Sequence, residues 1–108
     1  MHDIIRESPY YQEILQEGRE EGLEKGLEKG LEKGLELARQ EHLQSLRQTV
    51  TDIVLQRFPK LARLARKQVT FVEDPATLRH LIVNLSISQT AEEAKQYLQE
   101  VDEDEEED

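Results

Sequence analysis

Residues 18–37 repeat a four-residue unit: Gly18-Arg-Glu-Glu, then Gly-Leu-Glu-Lys three times over 22–33, then Gly34-Leu-Glu-Leu. A period of four lies close to the 3.6 residues of a helical turn. On a helix, Gly18, Gly22, Gly26, Gly30 and Gly34 therefore line up as one ridge, and Leu23, Leu27, Leu31 and Leu35 form the ridge beside it. Such a pair of ridges is a surface for touching another helix, and no catalytic constellation accompanies it.

The glycines make the helix expensive. Each costs about 1 kcal/mol relative to alanine in a helix interior, so five cost roughly 5 kcal/mol. Charges return little, because the repeat stacks Glu24, Glu28 and Glu32 at i+4, and likewise Lys25, Lys29 and Lys33. Only i+3 pairs such as Lys25 with Glu28 are favourable, at a few tenths of a kcal/mol each. The compensation expected is close approach: without a Cβ, a second backbone can come nearer than the usual 8 to 10 Å or so, and leucines of one chain can lie against glycines of another. Each four-residue step also leaves the ridge about 40° further round, so two ridges should cross steeply or with right-handed character, giving a short seam. A competing reading treats the repeat as a solvated low-complexity linker that buries nothing.

A chain of 108 residues has room for one small domain at most. It holds no cysteine, which excludes a disulfide framework and a cysteine-based zinc site. No apolar run approaches a membrane span, and Met1-His-Asp-Ile-Ile-Arg6 lacks the regions of a signal peptide, so the expected compartment is the cytoplasm. The net charge is −10, and the last seven residues, 102–108, are all acidic. The acidity is mostly a tail, predicted to be disordered.

Helix signals recur along the rest. Ser8-Pro9 is a helix start, and Tyr10, Tyr11, Ile14 and Leu15 give its first turns an apolar side. No proline follows until Pro59, so an unbroken helix would span roughly 70 Å. From Leu43 the apolar positions become Leu43, Leu46, Val50 and Ile53, then Val54 and Phe58, the spacing of a buried bundle face. Phe58-Pro59 predicts a turn. A short basic helix over 60–68 should follow, with Leu61, Leu64 and Ala65 inward, and then an extended, buried connector over 69–72. Asp74-Pro75 caps a helix with Leu78, Leu81, Ile82 and Leu85 on one side. Thr90 with Glu93 forms a capping box ahead of Ala94, Tyr97, Leu98 and Val101.

Few residues suggest chemistry. His2, His42 and His80 stand alone, without the i+3 or i+4 partner a metal site needs. Glu93-Ala-Lys95 matches half of a metal-dependent nuclease pattern, but it lies behind a helix cap and reads as capping. The acidic tail lacks the glycine turn and spaced ligands of a calcium loop. More content lies between Asp52 and Glu73, where there is no acid and Arg57, Lys60, Arg63, Arg66 and Lys67 add five positive charges. This patch could contact nucleic-acid phosphates, or it is a solvated face, or it pairs with a neighbouring chain's acidic tail.

The stretch Arg6-Glu-Ser-Pro-Tyr-Tyr-Gln-Glu-Ile-Leu-Gln-Glu-Gly18 with its glycine repeat, and Leu55-Gln-Arg-Phe-Pro-Lys-Leu61 with the helices after it, resemble a C-terminal region of bacterial, notably cyanobacterial, proteins. These are the Rpn family of recombination-promoting nucleases, or transposase-like proteins. In that family a PD-(D/E)xK nuclease domain precedes the region, and this chain has none, so no catalytic position can be carried over. The resemblance implies either a stand-alone oligomerisation module or, as family members with internal short products suggest, a chain that pairs with the equivalent tail of a full-length nuclease and regulates it.

The sequence thus predicts an all-α, non-enzymatic protein without cofactor or metal. Residues 1–42 form a long oligomerisation helix, 43–101 a small helical domain and 102–108 a disordered tail. The expected partner is a second copy, extended by the resemblance to an Rpn-like nuclease. The alternative is an accessory nucleic-acid-binding protein using residues 57–67.

Overall fold

A computed structural model of the chain describes residues 8–106, and side chains through residue 101. It is all-α: helices α1 (Pro9–Arg57), α2 (Ala62–Val69), α3 (Pro75–Ile87) and α4 (Ala91–Glu106), with a 3-10 turn at Pro59–Leu61. Among the described residues there is no strand, and no helix is long and apolar enough to cross a membrane. The chain divides into two units, Met1–Ala38 and Arg39–Asp108.

The first unit holds the opening turns of α1 and the whole glycine repeat. The Gln12 N–H donates to the Ser8 carbonyl at 3.1 Å, which makes Ser8 the capping position that the Ser-Pro pair predicts. Tyr11 and Leu15 are half-buried, and residues 16–38 are exposed throughout. The repeat region is helical and, among the described residues, buries nothing, as the competing solvated reading also expects.

In the second unit the period-3.6 pattern governs packing. Leu43, Val50 and Val54 of α1 are fully buried in one core with Ala65, Val69, Val72, Leu78, Leu81, Leu85, Ala94, Leu98 and Val101. Leu46, Ile53, Phe58, Leu61, Leu64, Ile82 and Tyr97 pack around it, so the inward positions expected of each helix are the ones that go in. Helix α4 packs on both α2 and α3. Gln68, itself buried, donates from Nε2 to the Leu98 carbonyl at 2.8 Å and ties α2 to α4.

The ends of these helices follow local rules. Phe58 sits at φ −138°, ψ 66°, outside the helical region as a residue before proline must be. Pro59 has no N–H, and the Leu61 N–H bonds back to the Phe58 carbonyl at 2.9 Å, so the predicted helix over 60–68 opens as a 3-10 turn and becomes α-helical only at Ala62. The Asp74 carboxylate accepts from the Ala76 N–H at 3.0 Å and from the Thr77 hydroxyl at 3.2 Å. Glu93 N–H donates to the Thr90 hydroxyl at 3.2 Å, while the Glu93 carboxylate reaches past Thr90 to the Gln89 N–H at 3.0 Å. The capping box therefore forms with its return bond displaced by one residue.

Two expectations need correction. Residues 69–72 are not an extended connector: Val69 ends α2, and the Val72 N–H closes a turn onto the Val69 carbonyl at 3.2 Å. The turn puts Val69 and Val72 on one side, both buried, and leaves Phe71 82% exposed. Helix α4 also continues to Glu106 where disorder was predicted from 102. Once a helix is nucleated, each further residue adds a backbone bond, and glutamate is a good helix former. Residues 107 and 108 of that tail lie outside the described residues.

Arg57 closes the fold in a way its sequence position does not announce. From the last turn of α1 its guanidinium donates to the carbonyls of Leu85, Ser86 (2.8 Å) and Ser88 (2.7 Å), the unpaired end of α3. A cation there also meets the negative end of the α3 dipole. The same group lies 4.9 Å over the Phe58 ring. Replacing Arg57 with alanine should cost about 2 kcal/mol of stability, the scale of lost charge-assisted bonds to a partly exposed helix end. Arg57→Lys should recover only part, since an ammonium cannot span three carbonyls. Urea unfolding of the two variants measures this, and an Arg57→Ala midpoint equal to that of the parent would remove the capping role.

Candidate functional site

Each residue of the repeat stands where the helix places it. An added Cβ at Gly18, Gly22, Gly26, Gly30 or Gly34 would meet nothing within 4 Å, and none of these glycines has positive φ. Neither close packing among the described residues nor backbone geometry therefore requires glycine at any of the five positions. Beside them Leu23, Leu27, Leu31 and Leu35 are 66%, 66%, 65% and 63% exposed. Leu37, further round the helix, is equally open. The structure brings the five glycines and four leucines onto adjacent ridges, and adds Tyr10 and Ile14 as exposed apolar residues on the preceding turns.

The basic cluster is split rather than gathered. Lys60, Arg63, Arg66 and Lys67 are exposed on the 3-10 turn and α2. Arg57 is correctly counted among the cations of this window but not among those free to meet a phosphate, because three carbonyls hold its guanidinium. The reason is topological: α1 ends beside the C-terminus of α3, thirty residues away in sequence or about that, and no local pattern reveals it.

Other candidates fall into structural roles. His42 and His80 are exposed, and His2 lies outside the described residues. Among the described residues no group of three or more His, Cys, Asp or Glu is placed to hold a metal ion. Glu93, the acid of the Glu-x-Lys match, has its carboxylate on the Gln89 N–H, as a helix cap does. Sequence reasoning passed over Arg47, whose Nη2 donates to the Val72 carbonyl at 2.6 Å and pins the turn after α2. Its place at i+4 from Leu43 on the inward-facing side of α1 was the available signal.

Comparison with protein-family models, curated proteins and solved structures finds no match. The reading of the surface therefore rests on the residues themselves. Since added methyl groups meet open space, Gly22→Ala/Gly26→Ala/Gly30→Ala should strengthen α1 by about 3 kcal/mol in a dilute single chain. Circular dichroism should show helical signal persisting to higher temperature, whereas a fall in helicity would mean that the single chain itself needs bare backbone there.

Proposed function

We propose that this protein is a non-catalytic self-association module, whose partner surface is the Gly/Leu seam of α1 and whose partner is a second copy. One observation carries the reading. Five helix-weakening glycines and four largely exposed leucines share adjacent ridges, and nothing among the described residues makes use of either.

The order of the repeat also selects an orientation. At about 100° per residue, Gly, Leu, Glu and Lys occupy four successive strips around the helix. A seam centred between glycine and leucine is then bordered by lysine on the glycine side and glutamate on the leucine side. In a parallel two-fold pair, each leucine strip faces the partner's glycine strip and each glutamate border runs along a lysine border. In an antiparallel pair leucine faces leucine, glycine faces glycine, and like charges run together. Parallel pairing thus satisfies shape and charge at once, and the steep drift of the ridge confines it to a few turns.

Pairing with the equivalent tail of an Rpn-like nuclease is a further step that rests on the resemblance of residues 6–18 and 55–61. Co-purification with a nuclease bearing the same repeat is its test. Nucleic-acid binding has less to draw on, with Arg57 engaged and the remaining cations set in a strongly acidic chain.

Light scattering over a micromolar concentration series should give a mass above one chain. Leu27→Gln/Leu31→Gln should shift it to one chain while leaving the thermal unfolding of the second unit unchanged. The triple glycine-to-alanine variant should also associate more weakly despite its stronger helix. A single-chain mass for the parent at every concentration would overturn the proposal. For orientation, a spin label on Glu21→Cys should show a short label-to-label distance in a parallel pair, and a distance long enough to place the two labels at opposite ends of the seam would reject parallel pairing.

A further inference from the structure

A groove of about 380 Å³ in the second unit lies between α1 and α2. It is lined by Gln44, Arg47, Gln48 and Thr51 of α1, by Arg66 and Val69 of α2, and by Thr70 just after it. The α1 residues fall at i, i+3, i+4 and i+7 and so form one continuous strip. Among the described residues no carboxylate lines the groove, although the chain has 24 acids against 14 lysines and arginines. At about 30 Å³ per water, it holds roughly a dozen waters, so one phosphate or carboxylate group fits with water to spare.

The donors in this groove are underused. Arg47 makes one side-chain hydrogen bond, to the Val72 carbonyl, and its Nε–H is buried with no acceptor. A guanidinium offers five N–H groups, and a buried one without a partner is an unfavourable arrangement. Arg66 has no side-chain hydrogen bond or ion pair among the described residues. The nearest acid in sequence, Asp52, is occupied by Gln48, whose Nε2 donates to it at 2.9 Å. The Thr51 and Thr70 hydroxyls each donate to a helix carbonyl, those of Arg47 and Arg66, and so add little. What remains, among the described residues, is two guanidinium groups and the Gln44 carboxamide around the hollow.

We propose that this groove is a site for an oxyanion, held by Arg47 and Arg66 with Gln44 beside them. Paired guanidinium forks match the planar, charge-delocalised edge of a carboxylate or phosphate, and a lysine pair would not. The oxyanion has two available sources: a phosphate group in solution, or the carboxylates of residues 102–108. The site does not depend on self-association through α1.

Titration of the whole chain with inorganic phosphate, followed by amide and arginine side-chain NMR, tests the site. The parent and an amide variant of residues 102–108 (each Asp→Asn, each Glu→Gln) form the two arms. Saturable shifts at Arg47, Arg66, Thr51 and Thr70 in both arms would identify a site for free phosphate. Shifts in the amide variant alone would identify the acidic run as the occupant that phosphate replaces. In either case Arg66→Gln, which removes an exposed side chain that bonds to nothing among the described residues, should weaken binding about tenfold, the scale of one charge-assisted hydrogen bond. Absence of saturable shifts in both arms would overturn the proposal, as would binding that Arg66→Gln leaves unchanged.

Discussion

A helical residue must be worth its backbone entropy, and glycine is the least able to return it. Helix α1 nevertheless runs through five glycines without a break, and in none of them is the missing Cβ explained by a neighbour among the described residues. The leucines alternate with them at the same period and stay about two-thirds exposed. The proposed seam, with leucine against bare backbone, would account for both peculiarities through one contact: the glycine would remove the obstacle and the leucine supply the apolar area. The helix would be stronger with alanine and the surface more soluble with glutamine. That the repeat has neither is the physical basis on which we propose association.

The second unit solves the opposite problem, holding a small core together at its ends. Its apolar residues are few and mostly aliphatic, and α2 has only eight residues, too short to be stable without packing. Three long polar side chains bridge elements that are distant in sequence. Arg57 reaches the end of α3, Gln68 reaches the Leu98 carbonyl, and Arg47 reaches the Val72 carbonyl. Each satisfies a backbone acceptor that would otherwise need water, so these bonds fix the register of helices whose apolar faces alone would allow sliding.

What could be read from the residues follows the range of the interactions involved. Asp74, Thr90 and Glu93 act on N–H groups within four residues, and their capping roles were legible; so were the inward faces, because Leu43, Val50, Leu78, Leu85 and Leu98 recur at helical spacing. The turn at 69–72 was not, since β-prone residues there answer to burial of Val69 and Val72 and not to strand pairing. The part played by Arg57 was illegible for a different reason: its acceptors lie about thirty residues away, and a charge count treats it as one more cation. The glycine and leucine ridges were legible as a pattern because their four-residue period survives without tertiary context, and the groove was not, because it exists only once α1 and α2 are packed.

The acid-free window between Asp52 and Glu73 acquires a physical meaning from this arrangement. A carboxylate beside Arg57 would compete with the α3 carbonyls for the guanidinium, and one beside Arg66 would neutralise the hollow it lines. In a chain so rich in acids, their exclusion from this window keeps the arginines unpaired by local partners. One of those arginines then spends its charge on a helix end and another is left facing the groove, so two neighbouring cations of the same type diverge in role according to what packing puts within reach. Charge counted along the sequence marks where such groups are; only the acceptors around each one decide whether it holds the fold or remains available to a ligand.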